Sequence, residues 1–124
     1  MSDALKREKH FLNHLVHSTT VKGKKSLFKT LTRQQINVLT EIFLNILQKT
    51  VDLSEEEKKK LLKHKKFIRK IANKRKTLKK RKDLLIAHPV IANRVLKTVW
   101  PKIMDYIKTE RKEDGSEQAD NTQK

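Results

Sequence analysis

Hydrophobic positions along the chain recur at three- and four-residue intervals, and no stretch alternates with period two for long enough to make a convincing strand. Leu5, Leu12 and Val16, with Phe11 and Leu15 beside them, predict a first amphipathic helix over residues 4–17. Ser18-Thr19-Thr20 reads as a break, and a short segment with Leu27, Phe28 and Leu31 follows, weakened by Gly23. Thr32 and Gln35 match the S/T-x-x-E/Q capping box, in which a side chain and the backbone satisfy each other at a helix start. Behind it Ile36, Leu39, Ile42, Phe43, Ile46 and Leu47 keep helical spacing. This is the most apolar helix, and Leu39, Ile42, Phe43 and Ile46 are expected to pack the core.

Residues 49–53 read as a connector. Ser54 and Glu57 form a second capping box, and Glu55, Glu56 and Glu57 sit where a helix N-terminus favours negative charge. At 100° per residue, Leu61, Phe67, Ile68, Ile71 and Ala72 fall in one arc with His64 inside it. Lys59, Lys63, Lys66 and Lys70 fall opposite, flanked by Arg69, so one long helix is expected with a buried face and a row of cations. Residues 73–77 should break it, and Thr77 can cap a helix carrying Leu78, Leu84, Leu85 and Ile86. Pro89 suits the first turn of a further helix with Ile91, Val95, Leu96 and Val99. Pro101 would start or kink a last segment with Ile103, Met104 and Ile107. The expected fold is therefore all-α: a small multi-helix bundle with a long basic helix and a disordered polar C-terminal tail. Residues 1–50 would form most of the core, 54–86 the basic helical region, 89–110 the C-terminal helices and 111–124 the tail.

Composition narrows the possible functions. At 124 residues and 35% hydrophobic content, the chain has room for one domain with a modest core. It has no Cys, which excludes a disulfide scaffold and a thiolate metal site. Two Gly leave no material for a glycine-rich phosphate loop. No apolar run near the N-terminus has secretory length, and the longest uncharged apolar stretch, 42–47, falls far short of a bilayer span. The chain is expected to be intracellular or intravirion, and not secreted.

The net charge of +17 bears on partners rather than on fold. Fifteen of the 31 Lys and Arg lie within residues 58–82, which hold no Asp or Glu. They are Lys58, Lys59, Lys60, Lys63, Lys65, Lys66, Arg69, Lys70, Lys74, Arg75, Lys76, Lys79, Lys80, Arg81 and Lys82. Like charges at i,i+4 repel by a few tenths of a kcal/mol per pair, roughly, so such a row favours a polyanion that neutralises it. Cations on phosphates release condensed counterions, which drives affinity without a sequence requirement. Lys outnumbers Arg here, and Lys lacks the fork that reads guanine edges, so backbone-directed binding of low specificity is expected. Lys74-Arg75-Lys76 and Lys79-Lys80-Arg81-Lys82 also resemble a nuclear import signal.

Other chemistry is sparse. Phe67 lies on the apolar arc and is expected in the core rather than stacking on bases, and Trp100 is expected to pack at a helix junction. His10, His14 and His17 share a helix face, but no acid completes a metal-binding pattern, so no metal, cofactor or small-molecule substrate is expected. The acids cluster in a cap and a tail, and no nucleophile motif or paired-carboxylate arrangement stands out, so no enzyme is expected.

The stretch Leu53-Ser54-Glu55-Glu56-Glu57-Lys58-Lys59-Lys60-Leu61-Leu62-Lys63-His64-Lys65-Lys66-Phe67-Ile68-Arg69-Lys70-Ile71-Ala72-Asn73-Lys74, continued by Thr77-Leu78-Lys79-Lys80-Arg81-Lys82-Asp83-Leu84-Leu85-Ile86, resembles small basic proteins of Polinton (Maverick) elements and adintoviruses. Those proteins have been likened to adenovirus core protein X, the mu precursor. The part from Phe11-Leu12 through Leu47 is similar as well. The resemblance implies a virion-associated protein that condenses double-stranded DNA through the basic positions of 58–82, in the virion and the host nucleus, with other virion proteins as further partners. It ends at Ile86: the relatives continue into a glycine-containing apolar tail, whereas His88-Pro89-Val90-Ile91 here leads into a charged helix.

Two alternatives stand beside nucleic-acid binding. One is a helical interaction module for an acidic protein, presenting Ile91, Val95, Val99 and Trp100, or Leu62 at the edge of the basic helix. The other is a peripheral membrane protein, ranked last because the narrow apolar faces are needed for the core.

Overall fold

The computed structural model describes residues 3–49 and 51–122, with side chains through residue 107. Those residues form eight helices and no strand: α1 (Asp3–Arg7), α2 (Lys9–Val16), α3 (Val21–Lys29), α4 (Arg33–Leu47), α5 (Glu55–Leu62), α6 (Lys65–Ala72), α7 (Leu78–Ala87) and α8 (Pro89–Thr122). The all-α expectation holds. Side chains of the polar tail expected over 111–124 lie outside the described residues.

The helix starts follow the local chemistry. Thr32 and Ser54 each accept from the backbone N–H three residues on, while Gln35 and Glu57 reach back to the N-cap N–H. Both capping boxes are complete. Thr77 accepts from the Lys80 N–H, and Thr20 caps α3 by accepting from Gly23. That cap explains the glycine: a Cβ at Gly23 would stand 2.8 Å from the Thr20 hydroxyl oxygen and 3.0 Å from that of Ser18. Pro89 opens α8, where its missing N–H is no loss. The backbone then stays helical through Pro101, so residues 89–110 form part of one helix rather than two segments. Helix α4 ends without a glycine, and Lys49 takes the left-handed conformation (φ 59°) just past its cap.

The expected long basic helix is broken. Residues 63 and 64 form a turn between α5 and α6. Helix α5 packs on α8, whereas α6 lies along α4 in the most extensive helix–helix contact of the fold. The turn redirects the chain between those two supports. Phe67, Ile68, Ile71 and Ala72 line the buried face of α6. The Phe67 ring meets Phe43 edge-on at 6.1 Å and His88 at 5.7 Å, so its role is in the core, as expected.

The core draws less on residues 1–50 than the sequence suggests. Helix α8 supplies Ala92, Val95, Leu96, Val99, Trp100, Ile103 and Ile107, all buried. These meet Leu12 and Leu15 of α2, Phe28 of α3, and Leu39, Ile42 and Phe43 of α4 in one cluster. Burial of Val95, Val99 and Trp100 also overturns the idea that they present a partner face: i,i+3/i+4 spacing marks an apolar stripe but not what covers it, and here the bundle itself does. Ile46 is only half-buried at the margin of the cluster. Among the described residues three buried polar side chains interrupt the apolar interior: Thr40, which donates to the Ile36 carbonyl, Asn93, which donates at 3.5 Å to the Ser18 carbonyl, and Arg81.

Candidate nucleic-acid interface

The surface built from residues 58–82 starts with the caps. A sealed helix start at Ser54 fixes the rotation of α5, and burial of the α6 apolar face fixes that of α6. With Phe67, Ile68, Ile71 and Ala72 inward, Lys66, Arg69 and Lys70 fall on the solvent side. Of the fifteen candidate cations, Lys58, Lys59, Lys60, Lys63, Lys65, Lys66, Arg69, Lys70, Lys74, Arg75, Lys79 and Lys80 are exposed. Lys76 and Lys82 are half-buried. Among the described residues, one carboxylate contact touches the set: Lys58 Nζ lies 3.4 Å from Glu55 Oε1, one turn back on the same exposed helix. A pair of that kind contributes little, so the amines remain available.

Arg81 departs from this pattern. It is 6% exposed. On α7 it shares an arc with Leu78 and Leu85, three and four positions away, so the face that buries Leu85 takes Arg81 with it. Its Nη1 donates to the Thr40 hydroxyl of α4, and its Nε has no partner. Burial pushes the guanidinium below its ordinary pKa by making the charge costly. Arg81 therefore leaves the solvent-facing set.

Five of the twelve exposed cations line two clefts. Lys60 and Lys63 face Arg94 and Lys97 of α8 across a cleft of about 310 Å³ that His64 and Thr98 also line, and among the described residues no carboxylate does. Arg94 and Lys97 were missed in the sequence because they lie some thirty residues from the basic run; their i,i+3 spacing on the polar side of α8 was the available signal. Lys58, Lys65 and Arg69 join Lys49 around a second cleft of about 610 Å³, floored by Ile46, Leu47, Val51, Leu53, Leu61 and Ile68, with Asp52 its one acid. Leu62 lies beside it and is 65% exposed.

Elsewhere the chemistry is structural. Glu57 is held below the usual carboxylate range, first by its hydrogen bond from the Ser54 N–H and less by Lys102 and Lys60 nearby. His17 is tied to the Asn13 carbonyl at 2.8 Å. Among the described residues no helix is long and apolar enough to cross a membrane. The chain matches no family model, no curated protein and no solved structure.

Proposed function

We propose that this chain is a non-enzymatic nucleic-acid-binding protein that packs double-stranded DNA by phosphate neutralisation, with low sequence specificity. The observation that carries the reading is a set of twelve exposed cations, ten on α5, α6 and the turns that follow them and two, Lys79 and Lys80, on α7, with one weak carboxylate contact among the described residues and with Arg94 and Lys97 beside them. A surface of this kind attracts polyphosphate and rewards contact by counterion release. The resemblance to basic core proteins of mobile elements and adintoviruses supports the same role, with the virion and host nucleus as the place of action and other virion proteins as neighbours.

A salt titration of binding to two unrelated DNA duplexes, duplex RNA and heparin tests the reading. Replacing Lys59, Lys63, Lys66 and Lys70 together with Gln should weaken both DNA duplexes equally. It should also lower the log–log salt slope by about 3–4, close to one unit per lost phosphate contact. Unchanged affinity in that variant ends the proposal.

One observation favours a second reading. The larger cleft combines an apolar floor with four cations and the exposed Leu62, a surface suited to an acidic amphipathic partner. Pull-downs before and after nuclease treatment separate the two: binding through nucleic acid disappears with nuclease, and direct protein docking persists.

A further inference from the structure

A guanidinium removed from water calls for a counter-charge, because leaving an ion buried and unpaired costs far more than pairing it. Among the described residues, Arg81 hydrogen-bonds only to Thr40, a neutral hydroxyl already donating to the Ile36 carbonyl at 2.9 Å. Its Nε edge has no partner. The side chain nevertheless lines an open cleft of about 560 Å³ between α4 and the turn that joins α6 to α7.

The walls of that cleft follow from helix spacing. Asn37, Thr40, Glu41 and Gln48 form one stripe along α4, and Lys74 enters from the turn opposite. Two cations, a hydroxyl and amide side chains thus converge, with Glu41 the one carboxylate on the wall. Nη1 is engaged by Thr40 and Nε is enclosed without a partner, which leaves Nη2 as the guanidinium nitrogen an oxyanion in the cleft would meet, and exposed Lys74 adds a point charge at the rim.

We propose that this cleft is a seat for a single phosphate group, held between Arg81 and Lys74, separate from the exposed basic surface. The bound phosphate supplies the counter-charge that, among the described residues, no carboxylate supplies to Arg81 through an ion pair. Glu41 opposes a fully charged anion and lowers affinity, so binding should be stronger in Glu41→Gln. The seat does not depend on the nucleic-acid reading, since inorganic phosphate alone probes it.

The experiment uses the full chain, with thermal unfolding followed in sodium phosphate and in sodium chloride at matched ionic strength. Phosphate should raise the melting temperature saturably in the wild type and in the variant with Gln at positions 59, 63, 66 and 70. The response should vanish in Arg81→Met, and Lys74→Gln should weaken phosphate affinity about tenfold. A wild type that phosphate stabilises no more than chloride, or an Arg81→Met chain that responds as the wild type does, overturns the proposal. If Arg81→Met does not fold, the Arg81 Nε–H resonance of the wild type decides. It must shift saturably with phosphate and not with chloride, and a static resonance overturns the seat. Short duplexes with 5′-phosphate or 5′-hydroxyl ends then identify the source: preference for the phosphorylated end marks a terminal phosphate, and equal competition with inorganic phosphate marks an internal one.

Discussion

Replacing Arg81 with Met should stabilise the anion-free protein. Met keeps much of the length of the arginine stem and fills the same space beside Leu78 and Leu85, so little cavity forms. The loss is one charge-assisted hydrogen bond to Thr40, about 1.5–3 kcal/mol. The Thr40 hydroxyl keeps its own donor bond to the Ile36 carbonyl, so no donor is orphaned. The gain is relief of a guanidinium desolvation penalty of several kcal/mol, on the order found for other buried ions. The cleft leaves part of the group close to solvent, which places the net gain at the low end, about 1–3 kcal/mol. For a chain of this size that is a rise in melting temperature of roughly 4–12 °C. Calorimetry in chloride buffer free of phosphate and sulfate measures it. A fall in melting temperature would show that the guanidinium is already compensated in the free protein, and the desolvation reasoning would be wrong.

Three further outcomes test the fold. Glu57 has a lowered pKa when folded, so it contributes stability that is present above its ordinary value of 4.5 and lost as pH falls through the folded value. Denaturation midpoints between about pH 6 and pH 3 should therefore fall less in Glu57→Gln, which preserves the capping box but cannot titrate. Lys49→Gly should raise stability by about 1 kcal/mol, because φ of 59° strains a lysine but not a glycine; a lower urea midpoint would contradict this. Phe43→Ala, which removes a fully buried ring packed on Phe67, should cost about 3–5 kcal/mol in chemical denaturation.

What could be read from the sequence was what short-range chemistry decides. The boxes at Thr32 and Ser54, the cap at Thr77 and the opening of a helix at Pro89 each depend on neighbours three or four residues away, and each stands where expected. The misses all come from distant contacts. Leu61 and Ile68 share an arc on an ideal helix, so nothing local announces the turn at 63–64; it reflects the separate supports that α8 and α4 provide. Arg81 reads as one more cation until α4 is laid against α7 and Thr40 meets it. Arg94 and Lys97 join the basic surface only through the approach of α8 to α5.

The contribution of α8 to the interior has a consequence for biosynthesis. Phe28, Leu12 and Leu15 have no complete cover until Ala92 through Ile107 have been made. The cationic segment leaves the ribosome earlier, while its own scaffold is still open. The newborn chain thus passes through an interval in which it is sticky both to oil and to ribosomal RNA, and its yield in a cell will depend on how quickly the last helix arrives.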